Sequence, residues 1–342
     1  MKNKHNPQPI QSSYWRWLIE FLFSDKKYDG QFQNPGTEQI FDFDDVIDAD
    51  QPLEKIETEI TYYPEGDRQE LFAIFIPGLG QVAAESSKRS RRYAQRLRTG
   101  IANLNNGSFL KEKPILKFIN PYLDWIDAAI HRLGLLNSPV IENTALLILN
   151  AIQKQKVINF SGDSHGTILL GRALQRAKRK FINSSAGYFN FKQQQKQEIK
   201  WEEESRKFVN IFTFGNGYSQ WVKGPKYIMV YIEGDPLPEK LGITAEKTNR
   251  QDIQFLKFPR LFPQGSFEAH NMMFTIELLR QTFLKNNLEV GDFVGLYQHL
   301  NQNSLKLATP TEVLWPNDMA NYTWNPESLN LILSHSTSKS EN

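Results

Sequence analysis

Four apolar runs in this chain each stop at a turn containing glycine, and that repetition limits the fold more than any other feature. Residues 71–76 stop at Pro77-Gly78-Leu79-Gly80, and 157–160 lead into Gly162-Asp163-Ser164-His165-Gly166. Residues 208–214 stop at Gly215-Asn216-Gly217, and 227–232 at Glu233-Gly234-Asp235-Pro236. Short continuous apolar runs suit strands buried on both faces. A last strand is expected over 253–258 and a short one over 114–119. Helical patterns fall between them, at 83–101, 122–136, 142–155, after Ser164, and at 272–285. This alternation predicts an α/β fold, a mostly parallel central sheet with helices on both faces. One more strand is expected over 56–62, where Ile56, Thr58, Ile60 and Tyr62 alternate with Glu57, Glu59 and Thr61.

The 342 residues divide into a partly helical N-terminal extension (1–50), a main α/β domain (51–290) and a C-terminal extension (291–342) whose end, from Ser334, is frayed. Within the main domain, 181–207 is rich in Gln, Lys and Glu and reads as an insertion. Residues 24–50 read as a polar loop. Asp42, Asp44, Asp45, Asp48 and Asp50 lie close together there, but no register supplies the glycine and distal glutamate of a calcium loop, so a solvated acidic surface is expected. The apolar stretch 14–23 carries Arg16 and Glu20 and is followed by no small-residue cleavage site, which argues against a secretory signal. It is expected to dock on the protein body, with a membrane surface as the alternative. The basic side of 83–101 (Lys88, Arg89, Arg91, Arg92, Arg96, Arg98) reads as a solvated face, with acidic lipid headgroups as the alternative partner.

Composition narrows the chemistry. Forty basic against 38 acidic side chains give +2, too little for a nucleic-acid binder driven by bulk charge. With no cysteine, disulfides, thiolate metal sites and a cysteine nucleophile are excluded. No uncharged apolar run reaches the roughly 18 residues of a membrane span. The expected location is cytoplasmic, with peripheral membrane contact as a variant.

Gly162-Asp163-Ser164-His165-Gly166 fits G-x-S-x-G, with an apolar strand entering and an apolar-periodic helix leaving. At this glycine and serine content, roughly 0.07 chance matches are expected in the chain, so the strand–turn–helix context carries weight. A sharp reversal between strand and helix forces the serine into a strained conformation, and glycines two residues either side avoid clashes. The hydroxyl is thereby raised at a helix N-terminus, where backbone N–H groups favour developing negative charge.

A serine hydroxyl needs a base, and the base an orienting acid. In the order Ser, Asp, His, the candidates are Ser164, Asp235 after the strand at 227–232, and His270 after the strand at 253–258. Glu233 is the rival acid and His299 the rival base. Asp235 could instead shape a turn, and His270 could cap a helix. The oxyanion donors are expected to be the amide of His165 and that of Leu79, with Gly78 as its neighbouring alternative.

These residues resemble the α/β-hydrolase superfamily, within it the lipase-like branch, over about 56–285. The elbow at 162–166, Thr213-Phe214-Gly215-Asn216 and Asp235-Pro236-Leu237-Pro238 carry the resemblance, the last two being similar to elements of class 3-type lipases. The resemblance implies hydrolysis of carboxylic esters by a Ser-His-Asp triad, with no metal and no organic cofactor. Two departures stand out: Pro77-Gly78 replaces the His-Gly common before the oxyanion residue, and Asp163 stands where His is frequent. A negative neighbour raises the cost of charge on the serine oxygen. Phe118, Tyr122, Trp125 and Leu136 suggest a lipid-like acyl group. Acyl transfer or thioester hydrolysis on the same triad, and a catalytically silent binding protein, are the alternatives.

Overall fold

The computed structural model describes residues 28–64, 72–78, 83–106, 128–129, 131–134, 138–185, 191–263, 266–313, 315–316 and 319. The expected strand at 114–119, most of the helix at 122–136, the N-terminal stretch 14–23 and the tail from Ser334 lie outside these residues.

After β1 (Phe32–Gln33) and β2 (Ile40–Phe41) come two short helices, α1 (Phe43–Ile47) and α2 (Pro52–Lys55), the second continuing through a π-helical turn at Ile56–Ile60. Then follow β3 (Phe72–Ile76), α3 (Ala83–Leu97), β4 (Gly100–Leu104), α4 (Pro139–Lys154), β5 (Ile158–Asp163), α5 (His165–Ser185) and α6 (Phe191–Phe208). The chain closes with β6 (Val209–Phe214), β7 (Lys226–Ile232), α7 (Pro236–Lys240), β8 (Ile253–Phe258), α8 (Met272–Lys285) and α9 (Phe293–Asn301). The described strands form one eight-stranded sheet in the order β2-β1-β4-β3-β5-β6-β7-β8. From β4 to β8 every neighbouring pair is parallel, whereas β1 pairs antiparallel with β4 and β2.

The strand period sorts side chains between two apolar layers. Ile74, Ile76, Phe160, Ile211 and Met229 join the layer under α4, α5 and α6; Ala73, Phe75, Phe212, Ile228 and Val230 join the layer under α3, α8 and α9. Both faces of the central strands are therefore dry, which explains their unbroken apolar runs.

Four expectations are corrected. Residues 56–60 are helical, not a strand: Leu53, Ile56 and Ile60 are buried at helical spacing while Thr58 is exposed, and only Tyr62 bridges to the sheet, at Ile101. The helix expected to 101 ends at Leu97; Arg98 takes a left-handed φ of 49° and the chain turns directly into β4. Residues 28–50 are not merely a loop, because they supply the two antiparallel strands β1 and β2, the second of them at the edge of the sheet, and α1, which Asp42 caps by accepting from the Asp44 amide. The other aspartates of that cluster are exposed, as expected. Finally, the basic side of α3 is not simply solvated. Arg91 bonds the Pro35 carbonyl, Arg96 pairs with buried Glu277, and Arg89 reaches Asp163.

The 181–207 region continues α5 and then forms α6, whose Trp201 is fully buried, its Nε1 donating to the Lys223 carbonyl at 3.0 Å. Beyond 290, α9 and buried Trp315 lie in the same apolar layer as α3 and α8. No helix among the described residues is long and apolar enough to cross a membrane.

Candidate active site

Strand β5 delivers Ser164 to the carboxyl edge of the sheet, between its last residue, Asp163, and the first residue of α5, His165. Ser164 has φ +54°, the left-handed region that costs an L-residue roughly 1–2 kcal/mol. Its N–H donates to the Phe214 carbonyl at 3.1 Å, and its own carbonyl accepts from the Thr167 N–H and hydroxyl at 3.0 and 2.6 Å. The following glycine is demanded by packing: a Cβ on Gly166 would lie 2.1 Å from the Ile76 carbonyl oxygen, backbone at the end of β3. On the other side of the turn, a Cβ on Gly78 would lie 3.0 Å from Ser164 Cβ, so this candidate oxyanion segment lies directly beside the serine. The His165 amide lies at the first position of α5, in the turn whose N–H groups point out along the helix axis. Leu79 lies outside the described residues.

The candidate acid and base come from two later connections. After β7, Asp235 forms the N-cap of α7, and its Oδ1 accepts from the Leu237 amide at 3.0 Å while Pro236 starts the helix. After β8, a 3-10 turn at Phe267–His270, capped by Ser266, brings in His270, and Asn271 then caps α8. His270 Nδ1 stands 3.1 Å from both Asp235 oxygens. Asp235 is thus both a turn-former and the partner of the histidine. Since a carboxylate only accepts, Nδ1 carries the proton and Nε2 presents its lone pair. Burial pulls the imidazole pKa down, but the charge and hydrogen bond of Asp235, helped by Asp163, outweigh it and leave the pKa raised.

Gly215 fits the two halves together. It has φ +54°, and a Cβ there would lie 2.4 Å from His270 Cε1 and 3.2 Å from Asp235 Oδ2. The residue before it, Phe214, accepts the Ser164 amide. Ser164 and the Asp235–His270 pair therefore flank one tight loop. No hydrogen bond joins the serine hydroxyl to His270: Nε2 is buried and without a partner among the described residues. Catalytic hydrogen bonds are often loose before substrate binds.

The rivals separate cleanly. Glu233 is half-buried and faces Lys257 and Arg260 on the surface. His299 lies on α9, bonded to the Ser304 hydroxyl at 2.9 Å. Phe118, Tyr122, Trp125 and Leu136 lie outside the described residues.

Two features of the site escape a reading of the motif alone. Asp163 is 2% exposed, yet its charge has a counter-ion: Arg89 Nη1 lies 3.0 Å from Oδ2. Burial pushes the Asp163 carboxyl up against the pull of Arg89. A partner on α3 thus offsets the electrostatic cost expected of this residue. Behind the turn, Asn106 Nδ2 lies 3.2 Å from His165 Nδ1 and 3.3 Å from the Pro77 carbonyl oxygen, tying the turn at Ser164 to the end of β3. The His131 ring packs 5.3 Å from that of His165. The hint in the sequence was Asp163 itself, a charged residue inside an apolar strand end, which requires a cation nearby. Among the described residues, no group of three or more His, Cys, Asp or Glu side chains is placed to hold a metal ion.

No family model, curated protein or solved structure matches this chain.

Proposed function

We propose that this protein is a serine hydrolase of the α/β-hydrolase type that cleaves a carboxylic ester. One observation carries the reading: the Asp235–His270 pair lies against the loop that receives the backbone of Ser164, itself left-handed at a strand-to-helix turn. A parallel sheet with Ser, Asp and His in that chain order supports it.

In the proposed reaction, Ser164 Oγ attacks the ester carbonyl and His270 Nε2 accepts the hydroxyl proton. Asp235 holds the imidazole in the required tautomer and stabilises the cation that forms. The amides of His165 and of the Gly78–Leu79 segment receive the oxyanion, with the N-terminus of α5 adding its dipole. Collapse expels the alcohol, protonated by His270, and leaves an acyl-serine. Water, deprotonated by the same nitrogen, then releases the acid. A lipid-like acyl group remains part of the proposal, on the strength of the aromatic and apolar residues at 118–136.

The test is hydrolysis of a series of p-nitrophenyl esters by the full chain. Ser164→Ala and His270→Ala should each lower kcat by about 10⁴-fold or more. A Ser164→Ala protein that retains the wild-type rate, or a folded wild type that cleaves no ester, overturns the reading.

A further inference from the structure

At the opposite end of the sheet from Ser164 lies a cavity of about 150 Å³. Asn159, on its floor, is five residues before Ser164 along β5, which places the two roughly 16 Å apart. The floor is built by register. Asn159 pairs with Asn210 and Asn210 with Lys226, so three polar side chains form a row across β5, β6 and β7. The next row on the same face is Ser161, Phe212 and Ile228. Tyr93 of α3 and Phe293, Val294 and Tyr297 of α9 enclose the space above. One edge of the cavity is thus polar and cationic, and the rest is aromatic and aliphatic apart from Thr99 and Gln298.

Among the described residues the cation has no acidic partner. Lys226 makes no ion pair among the described residues, and its ammonium lies 6.0 Å from the Tyr297 ring centre. The carboxylate next in the row, Asp252, is taken by Arg250. Asn159 Nδ2 donates to the Phe72 carbonyl and Asn210 Nδ2 to Asn159 Oδ1, so the two amides are held in place beside the lysine. Apolar cavities of about 150 Å³ take up a single benzene-sized molecule. Size, wall chemistry and the unpaired cation together specify an amphipathic anion.

We propose that this cavity is a second, non-catalytic binding site for a small carboxylate bearing one ring or a short branched apolar group. The carboxylate sits on Lys226 and Asn210, and the apolar group packs against the wall formed by Tyr93 and the touching rings of Phe212 and Phe293, whose centres lie 4.6 Å apart. The inference does not depend on the ester-hydrolase reading, because neither Ser164 nor His270 takes part.

The experiment is calorimetric titration of the full chain with benzoate, benzyl alcohol and acetate. Benzoate should bind saturably at one site, more tightly than either of the others, and equally well in Ser164→Ala. Ala73→Leu, which fills the floor, and Val294→Trp, which fills the roof from a position 55% exposed and therefore tolerant of change, should each abolish binding in a protein that still melts cooperatively. Lys226→Gln should weaken benzoate roughly tenfold and leave benzyl alcohol unchanged. No saturable benzoate binding to the folded wild type overturns the proposal, as does binding that survives both filling variants. Benzyl alcohol binding as tightly as benzoate overturns the assignment to carboxylates.

Discussion

Replacing Gly215 by alanine perturbs the point where the two halves of the candidate site meet. The added Cβ would stand 2.4 Å from His270 Cε1 and 2.5 Å from Nδ1, so the ring must retreat by about 1 Å to reach ordinary van der Waals contact. It cannot do so and keep both 3.1 Å contacts to Asp235, which is itself fixed by the Leu237 amide. The left-handed φ of +54° adds strain of roughly 1–2 kcal/mol to an overpacking cost of about 1–3 kcal/mol. The expected loss of stability is therefore about 2–5 kcal/mol, and a 1 Å misplacement of the base should lower kcat/KM about 100-fold. Gly217, on the same loop, supplies the control. Its Cβ would meet nothing closer than Leu237 Cδ2 at 3.5 Å, and its φ needs no glycine. The assay is ester hydrolysis alongside thermal unfolding of Gly215→Ala and Gly217→Ala. If both variants keep wild-type Tm and activity, the convergence of Ser164, Gly215 and His270 described above is wrong.

Two further predictions probe charge and strain. The imidazole must be neutral to act as base, and its pKa is raised by Asp235 and Asp163 against Arg89 and burial, so the acid limb of kcat/KM should have its midpoint above the ordinary 6.5. Asp163→Asn leaves the positive charge of Arg89 unopposed and should move that midpoint down by about one unit; an upward shift, or a wild-type midpoint below 6.5, contradicts the assignment. For the strained turn, Ser164→Gly should melt above Ser164→Ala by the equivalent of about 1 kcal/mol, although both lack the proposed nucleophile. An alanine variant as stable as the glycine variant would mean that Ser164 stores no strain.

Much of this architecture was legible because the central strands are buried on both faces. Residues 71–76, 157–160, 208–214 and 227–232 read as apolar runs for that reason, and the glycine turns after them mark the carboxyl edge of the sheet, where Ser164 and Asp235 lie. The periphery was harder. β1 and β2 are two residues each, too short for any period, and acquire strand character only by pairing beside β4. β4 itself carries Asn103, buried among Gln33, Ser86 and Asn105, so its polarity hid it. Residues 56–60 satisfied both periods, and the burial of Leu53 with Ile56 and Ile60 decided for the helix. The Arg89–Asp163 pair joins positions 74 residues apart, and sequence spacing holds no record of such a contact.

The central claim is tested most directly by locating the reactive residue. Incubation of the full chain with a fluorophosphonate, followed by proteolysis and mass spectrometry, should find one adduct, on the Ser164 hydroxyl. Its formation should slow by several orders of magnitude in His270→Ala. Labelling of a different residue, or none on folded protein under conditions that label a known serine esterase, would contradict the assignment of Ser164 as nucleophile.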